Sequence, residues 1–212
     1  MKNKIIQFSF YLGGIFTLSL GVTLTLLSNL GAGGWDALTA NIAKLIEIQV
    51  GTGTFILGII LIIFTSILEK KKPNLYALLV SYITGIFINF WYYDIFKQIQ
   101  LTNFYLRFII VILGVIIIGI GCAMIFVTNC PKNHTETFIF AVAAKLKIMY
   151  RTSKVSMDTI ALIIGVILGF ILKDLKNIGI GTLLNTFCTG YIIHYVLPVV
   201  DKVYKVLKEM SN

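Results

Sequence analysis

Side chains able to do chemistry are scarce in this 212-residue sequence: nine carboxylates, two histidines and three cysteines. Two of the carboxylates stand in matching settings, 100 positions apart. The stretch Asn29-Leu-Gly-Ala-Gly-Gly-Trp-Asp36 interrupts a long apolar run and then restarts it in helical spacing. The stretch Asn129-Cys-Pro-Lys-Asn-His-Thr-Glu136 does the same, leading into a small-residue helix over 138–146. Glycine goes where a β-carbon would clash, so Gly31, Gly33 and Gly34 mark a chain reversal. An acid in a first helical turn is stabilised by the partial positive charge there, so Asp36 and Glu136 can be plain capping residues. Asp36 then has a nearby lysine to pair with, and Asn133 with Glu136 has the spacing of a capping box. The other chemistry open to them is binding. A carboxylate at a broken helix can hold a proton or cation, while helix N-termini attract an anionic or polar group.

The candidate solute- or ion-binding set is therefore Asn29, Gly31, Gly33, Gly34, Trp35, Asp36, Asn129 and Glu136, joined by three polar residues inside apolar runs, Asn89, Asn185 and His194. An ionisable or amide group at such a position faces protein or a cavity. The bland alternative for the asparagines is interhelical hydrogen bonding, worth about 0.6 kcal/mol each. Asp158, close to Arg151 and Lys154, reads as a solvated acid near a helix start. Enzymatic readings fare poorly. His134-Thr-Glu136 resembles half of a zinc deaminase signature, but no Pro-Cys-x-x-Cys follows it. There is no Gly-x-x-x-x-Gly-Lys-[Ser/Thr] phosphate loop. Cys122, Cys130 and Cys188 have neither disulfide nor zinc spacing and read as small apolar fillers. The sequence thus predicts no catalytic set, no metal site and no cofactor.

The elements that must position these residues are membrane helices. Hydrophobic residues make up 58% of the chain and charged residues 13%, with mean hydropathy +0.91; soluble domains carry about a quarter charged residues. Uncharged runs cover 5–35, 48–68, 74–93, 108–131 and 177–200, and 155–172 is interrupted only by Asp158. A span needs about 20 apolar residues. The predicted fold is an all-α polytopic membrane protein of about six spans, one membrane domain over 1–212. The first run is longer than a signal-peptide core, so it reads as a span. The net charge of +9 sits in the links between spans, which argues for orientation signals and against nucleic acid.

Ordered matches point to an internal repeat. Gly14, Gly21, Asn29 and Asp36 precede Gly114, Gly121, Asn129 and Glu136 by 100 positions; Gly58 aligns with Gly165, and Thr84-Gly85 and Asn89 with Thr189-Gly190 and His194. Repeat 1 covers about 5–96 and repeat 2 about 105–200, with 201–212 as a basic cytoplasmic tail. If the two broken segments do not cross, each repeat has three spans and the second is inverted. Inverted repeats with paired broken helices are a recurring transporter plan. The segments would then enter from opposite sides and meet at a shared cavity.

Three stretches resemble one family. Asn29-Leu-Gly-Ala-Gly-Gly-Trp-Asp36 after a glycine-spaced first span, Val50-Gly-Thr52 opening the next, and Gly179-Ile-Gly-Thr-Leu-Leu-Asn185 are similar to the YczE/YitT family of bacterial membrane proteins. The chain departs from it in having Gly34 where a proline is expected before the tryptophan. The resemblance implies a multi-pass protein of the bacterial inner membrane, transporter-like or permease-like. Two functions follow: a transporter for a small polar or anionic solute, or a non-transporting partner such as the membrane subunit of an ATPase-driven importer or a scaffold. The implied partners are the bilayer, that solute, and a second copy or partner membrane subunit.

Charge asymmetry fixes the expected orientation. With the N-terminus inside, Lys2, Lys4, Lys70 to Lys72, Lys132, Lys145, Lys147, Arg151, Lys154, Lys202, Lys205 and Lys208 are cytoplasmic, and Lys44, Lys97, Arg107, Lys173 and Lys176 lie outside. In a variant without native cysteines, a membrane-impermeant thiol reagent applied from outside should label a cysteine at position 103 and not one at 71. The reverse pattern inverts the topology.

Overall fold

The computed structural model describes residues 2–210, and every regular element in them is helical. In chain order these are α1 (Lys2–Leu27), α2 (Gly34–Leu45), α3 (Val50–Glu69), α4 (Leu75–Asn89) continued by a wider π turn (Phe90–Ile95), α5 (Phe104–Val127), α6 (His134–Leu146), α7 (Tyr150–Ile171) and α8 (Ile180–Glu209). Six are long and apolar enough to cross a membrane: α1, α3, α4 with its π turn, α5, α7 and α8. The helices α2 and α6 have 12 and 13 residues. At 1.5 Å per residue they reach about 18–20 Å, short of the roughly 30 Å hydrocarbon core. Ile59, Ile60, Ile63, Phe64 and Ile67 of α3 and Ile160, Ile163, Ile164 and Ile167 of α7 are exposed. Apolar stripes of this length are stable against lipid tails, not water.

Element ends follow local chemistry. Asn74, Asn103 and Asn133 cap α4, α5 and α6 by accepting from backbone N–H groups one turn in. The cap at Asn133 starts α6 at His134, four residues ahead of the small-residue run that marks it in the sequence. After α1 and α5 the chain turns at Asn29 and Asn129, both left-handed (φ 49° and 54°), a conformation asparagine tolerates better than most residues. Residues 201–209 of the expected basic tail are helical and continuous with α8. Helix α8 runs on through Pro198 to Glu209, because Val200 and Tyr204 are buried and Tyr204 packs on Phe10 with centroids 5.1 Å apart. Residues 211 and 212 lie outside the described residues.

The centre is an antiparallel crossing of α1 and α5. Gly14 lies against Met124 and Ile125, Gly21 against Gly114 and Ile118, and Gly121 against Gly14 and Leu18. Ile15, Leu18, Val22, Ile118, Cys122 and Ile125 fill the space beside these contacts. Polar bonds lock both ends. Gln7 Nε2 donates to the Thr128 carbonyl at 2.7 Å and Arg107 Nε to the Ser28 carbonyl at 2.5 Å. Around this pair, α2 packs on α7 and α3, while α6 packs on α3 and α7.

The crossing sets a contrast between glycines. A β-carbon at Gly21 would lie 2.7 Å from Ile118 N and one at Gly121 2.5 Å from Leu18 N, whereas one at Gly190 meets nothing within 4 Å. Gly190→Ala should raise stability by up to about 1 kcal/mol through helix propensity. Gly21→Ala and Gly121→Ala should each lower it by about 1–3 kcal/mol through overpacking. Unfolding midpoints in detergent measure both effects.

Candidate functional site

The two breaks converge. Gly33, Gly34, Trp35 and Asp36 at the start of α2, and Asn133, His134, Thr135 and Glu136 at the start of α6, line one cavity of about 90 Å³. Its floor is mid-helix: Leu18 and Val22 of α1, Ile118 and Cys122 of α5. Lys154 and Asp158 of α7 and Asn185, Thr186 and Thr189 of α8 close it, with Thr54 of α3 and Thr84 of α4 opposite.

Glycines make the approach possible. A β-carbon on Gly34 would run into the Asp158 carbonyl, and one on Gly33 would come within 2.9 Å of the Asp36 carboxylate and 3.1 Å of Asn185 Nδ2. Gly33 also gives α2 no side-chain cap. At α6 the cap exists: Asn133 Oδ1 accepts from Glu136 N at 2.9 Å. The box is half made, because the Glu136 carboxylate turns into the cavity. There it accepts from the Tyr150 hydroxyl and, at 3.2 Å, from Lys154 Nζ. Lys154 also pairs with Asp158 at 3.6 Å, one turn along α7. His134 is set by Ser81, whose Oγ lies 2.6 Å from Nδ1 and accepts from the His134 backbone at 3.3 Å.

Charge decides what this arrangement can do. Asp36, Glu136 and Asp158 face one cation, Lys154. Fully ionised, the lining would carry a net charge of −2 in a low-dielectric space, where each unpaired ion costs several kcal/mol. Such a site holds protons, or a positive ligand, or both. Two polar atoms of the lining close no hydrogen bond, Asn185 Nδ2 and Thr186 Oγ1, while the Trp35 indole is placed to donate to the Asp158 carboxylate. Orphaned groups of this kind face water or a ligand.

Of the residues singled out by sequence, Gly33, Gly34, Trp35, Asp36, Glu136 and Asn185 meet at the cavity. The others do not. Asn29 and Asn129 are exposed turn residues. Gly31 has φ +108° and presses on Gly179 and Thr182, part of a backbone junction in which Gly181 N donates to the Leu30 carbonyl at 2.8 Å. Asn89 Oδ1 accepts from Gly51 N at 2.8 Å, bracing the contact of Gly51 with Gly85. His194 is exposed on α8 beside Tyr195. Asp158 is not solvated: it is buried. Nor does Lys44 serve Asp36, since it pairs with Asp174 outside the spans. The hydrogen bonds Asp174 accepts from Lys44 and from the Lys176 backbone hold its carboxyl below the ordinary carboxylate range.

Sequence reasoning missed Lys154, treating it as a cytoplasmic surface charge. Two signals pointed to it. Tyr150, Lys154 and Asp158 fall four apart on one stripe of α7 that continues through the buried Ala161 and Gly165. The 100-residue offset also places Lys154 opposite Thr54, which lines the same cavity. Lys154→Met leaves three carboxylates without a cation and should cost about 3–5 kcal/mol. Lys44→Met breaks a half-exposed pair and should cost at most about 1 kcal/mol. Unfolding midpoints at neutral pH separate the two.

Residues 5–198 match the model of a family described as a family of unknown function, DUF6198. The chain is 33% identical over 199 residues to the Uncharacterized protein YyaS of Bacillus subtilis (strain 168), covering 92% of this chain and 94% of that protein. It is 26% identical over 200 residues to the Uncharacterized membrane protein YczE of the same organism, covering 93% and 89%. No solved structure matches. The YczE match bears out the resemblance carried by the Leu-Gly…Trp-Asp stretch. This chain is a multi-pass membrane protein and belongs to the DUF6198 family.

Proposed function

We propose that the protein is a membrane transporter that carries a small polar solute through the cavity between α2 and α6. The observation behind this reading is the convergence of three carboxylates, from α2, α6 and α7, around one lysine in a cavity walled by two helix N-termini. Purely structural helix breaks need no such charge. Buried ionisable groups at broken helices are the usual substrate and coupling sites of secondary transporters. The net negative lining favours a neutral or cationic polar solute over an anionic one, although two helix N-termini alone would suit an anion.

An inverted pair of three-span repeats fits the contacts. Gln7 reaches Thr128 as Arg107 reaches Ser28, and Gly14 meets Ile125 as Gly114 meets Thr25. Gly58 meets His134 of α6 as Asp158 meets Gly34 of α2. Each relation is the other shifted by 100 positions. With α3 starting at Val50 and α7 at Tyr150, this alignment sets Gly58 against Asp158 rather than Gly165, and Thr54 against Lys154, so only the second repeat supplies the ion pair. Rocking of one repeat against the other across the α1–α5 crossing would expose the cavity alternately to the two sides, with the first repeat's N-terminus cytoplasmic in the bacterial inner membrane.

Proteoliposomes loaded with a pH-sensitive dye and challenged with amines, amino acids and sugars test the reading. A solute-dependent pH change is expected for the wild type. Asp36→Asn, at a carboxylate with no ion pair, should keep stability within about 1 kcal/mol of wild type, Glu136→Gln should cost about 1–3 kcal/mol through its weakened bonds to Lys154 and Tyr150, and both should abolish that response. Normal responses in both variants would remove the carboxylates from the mechanism. No response to any solute, together with stoichiometric co-purification of an ATPase, would instead favour a subunit of a larger importer.

A further inference from the structure

We infer that the cavity recognises a small solute bearing a primary ammonium group beside a hydrogen-bond acceptor, an amino-alcohol-like or amino-acid-like unit. This rests on the cavity being a ligand site, as the transport reading requires. The lining groups specify the chemistry. On the accepting side, Asp158 is 7% exposed, with Lys154 at its Oδ2 and the Trp35 indole placed to donate to its carboxylate. The Asp36 carboxylate stands near it at the mouth of α2. On the donating side, Asn185 is 8% exposed and its Nδ2 has no partner. Its Oδ1 lies 2.8 Å from the Thr189 hydroxyl, which also donates to the Asn185 backbone carbonyl at 2.6 Å, and its Nδ2 stands on the cavity side, beside Gly33. The Asp36 carboxylate and Asn185 Nδ2 flank the same point beside Gly33.

A ligand must therefore donate to carboxylates and accept from an amide within one small space. A bare metal ion has nothing to accept with, and a proton neutralises a carboxylate without reaching Asn185. An anion meets a lining whose three carboxylates outnumber its one lysine. An ammonium group carries three donors and the charge the lining needs, and a neighbouring hydroxyl or carbonyl oxygen takes the Asn185 amide. The volume of about 90 Å³ is below the roughly 150 Å³ of a cavity that holds benzene, which limits the ligand to a handful of heavy atoms.

The test is equilibrium binding to the purified full chain in detergent, read as a shift in unfolding midpoint. The probes are ethanolamine, methylammonium and ethylene glycol, with sodium chloride at matched ionic strength. Ethanolamine should raise the midpoint by several degrees, methylammonium by less, and ethylene glycol and sodium chloride not at all. Asp36→Asn and Asp158→Asn should each lose the ethanolamine shift. Asn185→Leu should erase the preference for ethanolamine over methylammonium. Absence of an ethanolamine shift in the wild type, an equal shift with sodium chloride, or a shift surviving in both carboxylate variants overturns the inference. Should a variant fail to fold, a Trp91→Phe protein leaves Trp35 as the single indole. Its fluorescence must then change saturably with ethanolamine and be reversed by methylammonium competition; an unchanged signal overturns the inference equally. Ethanolamine that binds without counterflow in proteoliposomes defeats the transport reading alone. A different solute that is carried while ethanolamine fails to bind defeats only the present assignment.

Discussion

Inside a bilayer, backbone N–H and C=O groups have no water to turn to, so a helix that begins in mid-protein must find partners for its first turn. Two helices here, α2 and α6, begin at buried residues, and the spans pack over their first turns. The start of α6 is covered by its own Asn133 and by Ser81 of α4, which holds both the backbone and the ring of His134. The start of α2 has no side-chain cap. It is instead pressed against the Asp158 carbonyl of α7, with Asn185 of α8 beside Gly33. Glycine at 33 and 34 is the condition for that approach.

Lys154 ties the second broken segment to its neighbour. Its ammonium bridges Glu136 of α6 and Asp158 of α7, and the Tyr150 hydroxyl completes the Glu136 side. A buried pair of this kind adds little net stability over an apolar replacement, yet breaking it is costly because a charge is left stranded. Its worth is therefore better sought in what it prepares. Glu136 is held by Tyr150 and Lys154, Asp158 stands between Lys154 and the Trp35 indole, and Asp36 lies at the start of α2 without an ion pair of its own. The three carboxylates occupy three different electrostatic environments within one cavity.

The glycine crossing of α1 and α5 gives this site a stiff floor. Backbone contacts at Gly21 and Gly121 leave no room for side chains to shift, and mid-helix residues Leu18, Val22, Ile118 and Cys122 form the apolar base. Outside the core the faces of α3 and α7 are given over to isoleucine and phenylalanine against lipid. Polar groups are concentrated where helices end, and apolar ones where they pass through.

By itself the sequence determined the elements. Five uncharged runs of span length and a sixth interrupted only by Asp158, glycine breaks before Trp35 and a capping asparagine before Glu136 are local properties, because span length and helix termination depend on neighbours a few residues away. It also named most of one wall of the cavity, since Gly33, Gly34, Trp35 and Asp36 are adjacent in the chain. Only the tertiary structure decided which dispersed polar residues join them. Asn89, Asn185 and His194 look alike as polar residues within apolar runs, yet Asn89 braces a helix crossing, His194 faces outward and Asn185 enters the site. Lys154 and Asp158 look like surface charges near a helix start, yet they are its centre. The reason is geometric: which face of a helix is buried depends on its rotation against its partners. For α4, α7 and α8 that rotation is set by contacts with residues tens to more than a hundred positions away, such as Gly51 with Gly85, Gly34 with Asp158 and Gly31 with Gly181.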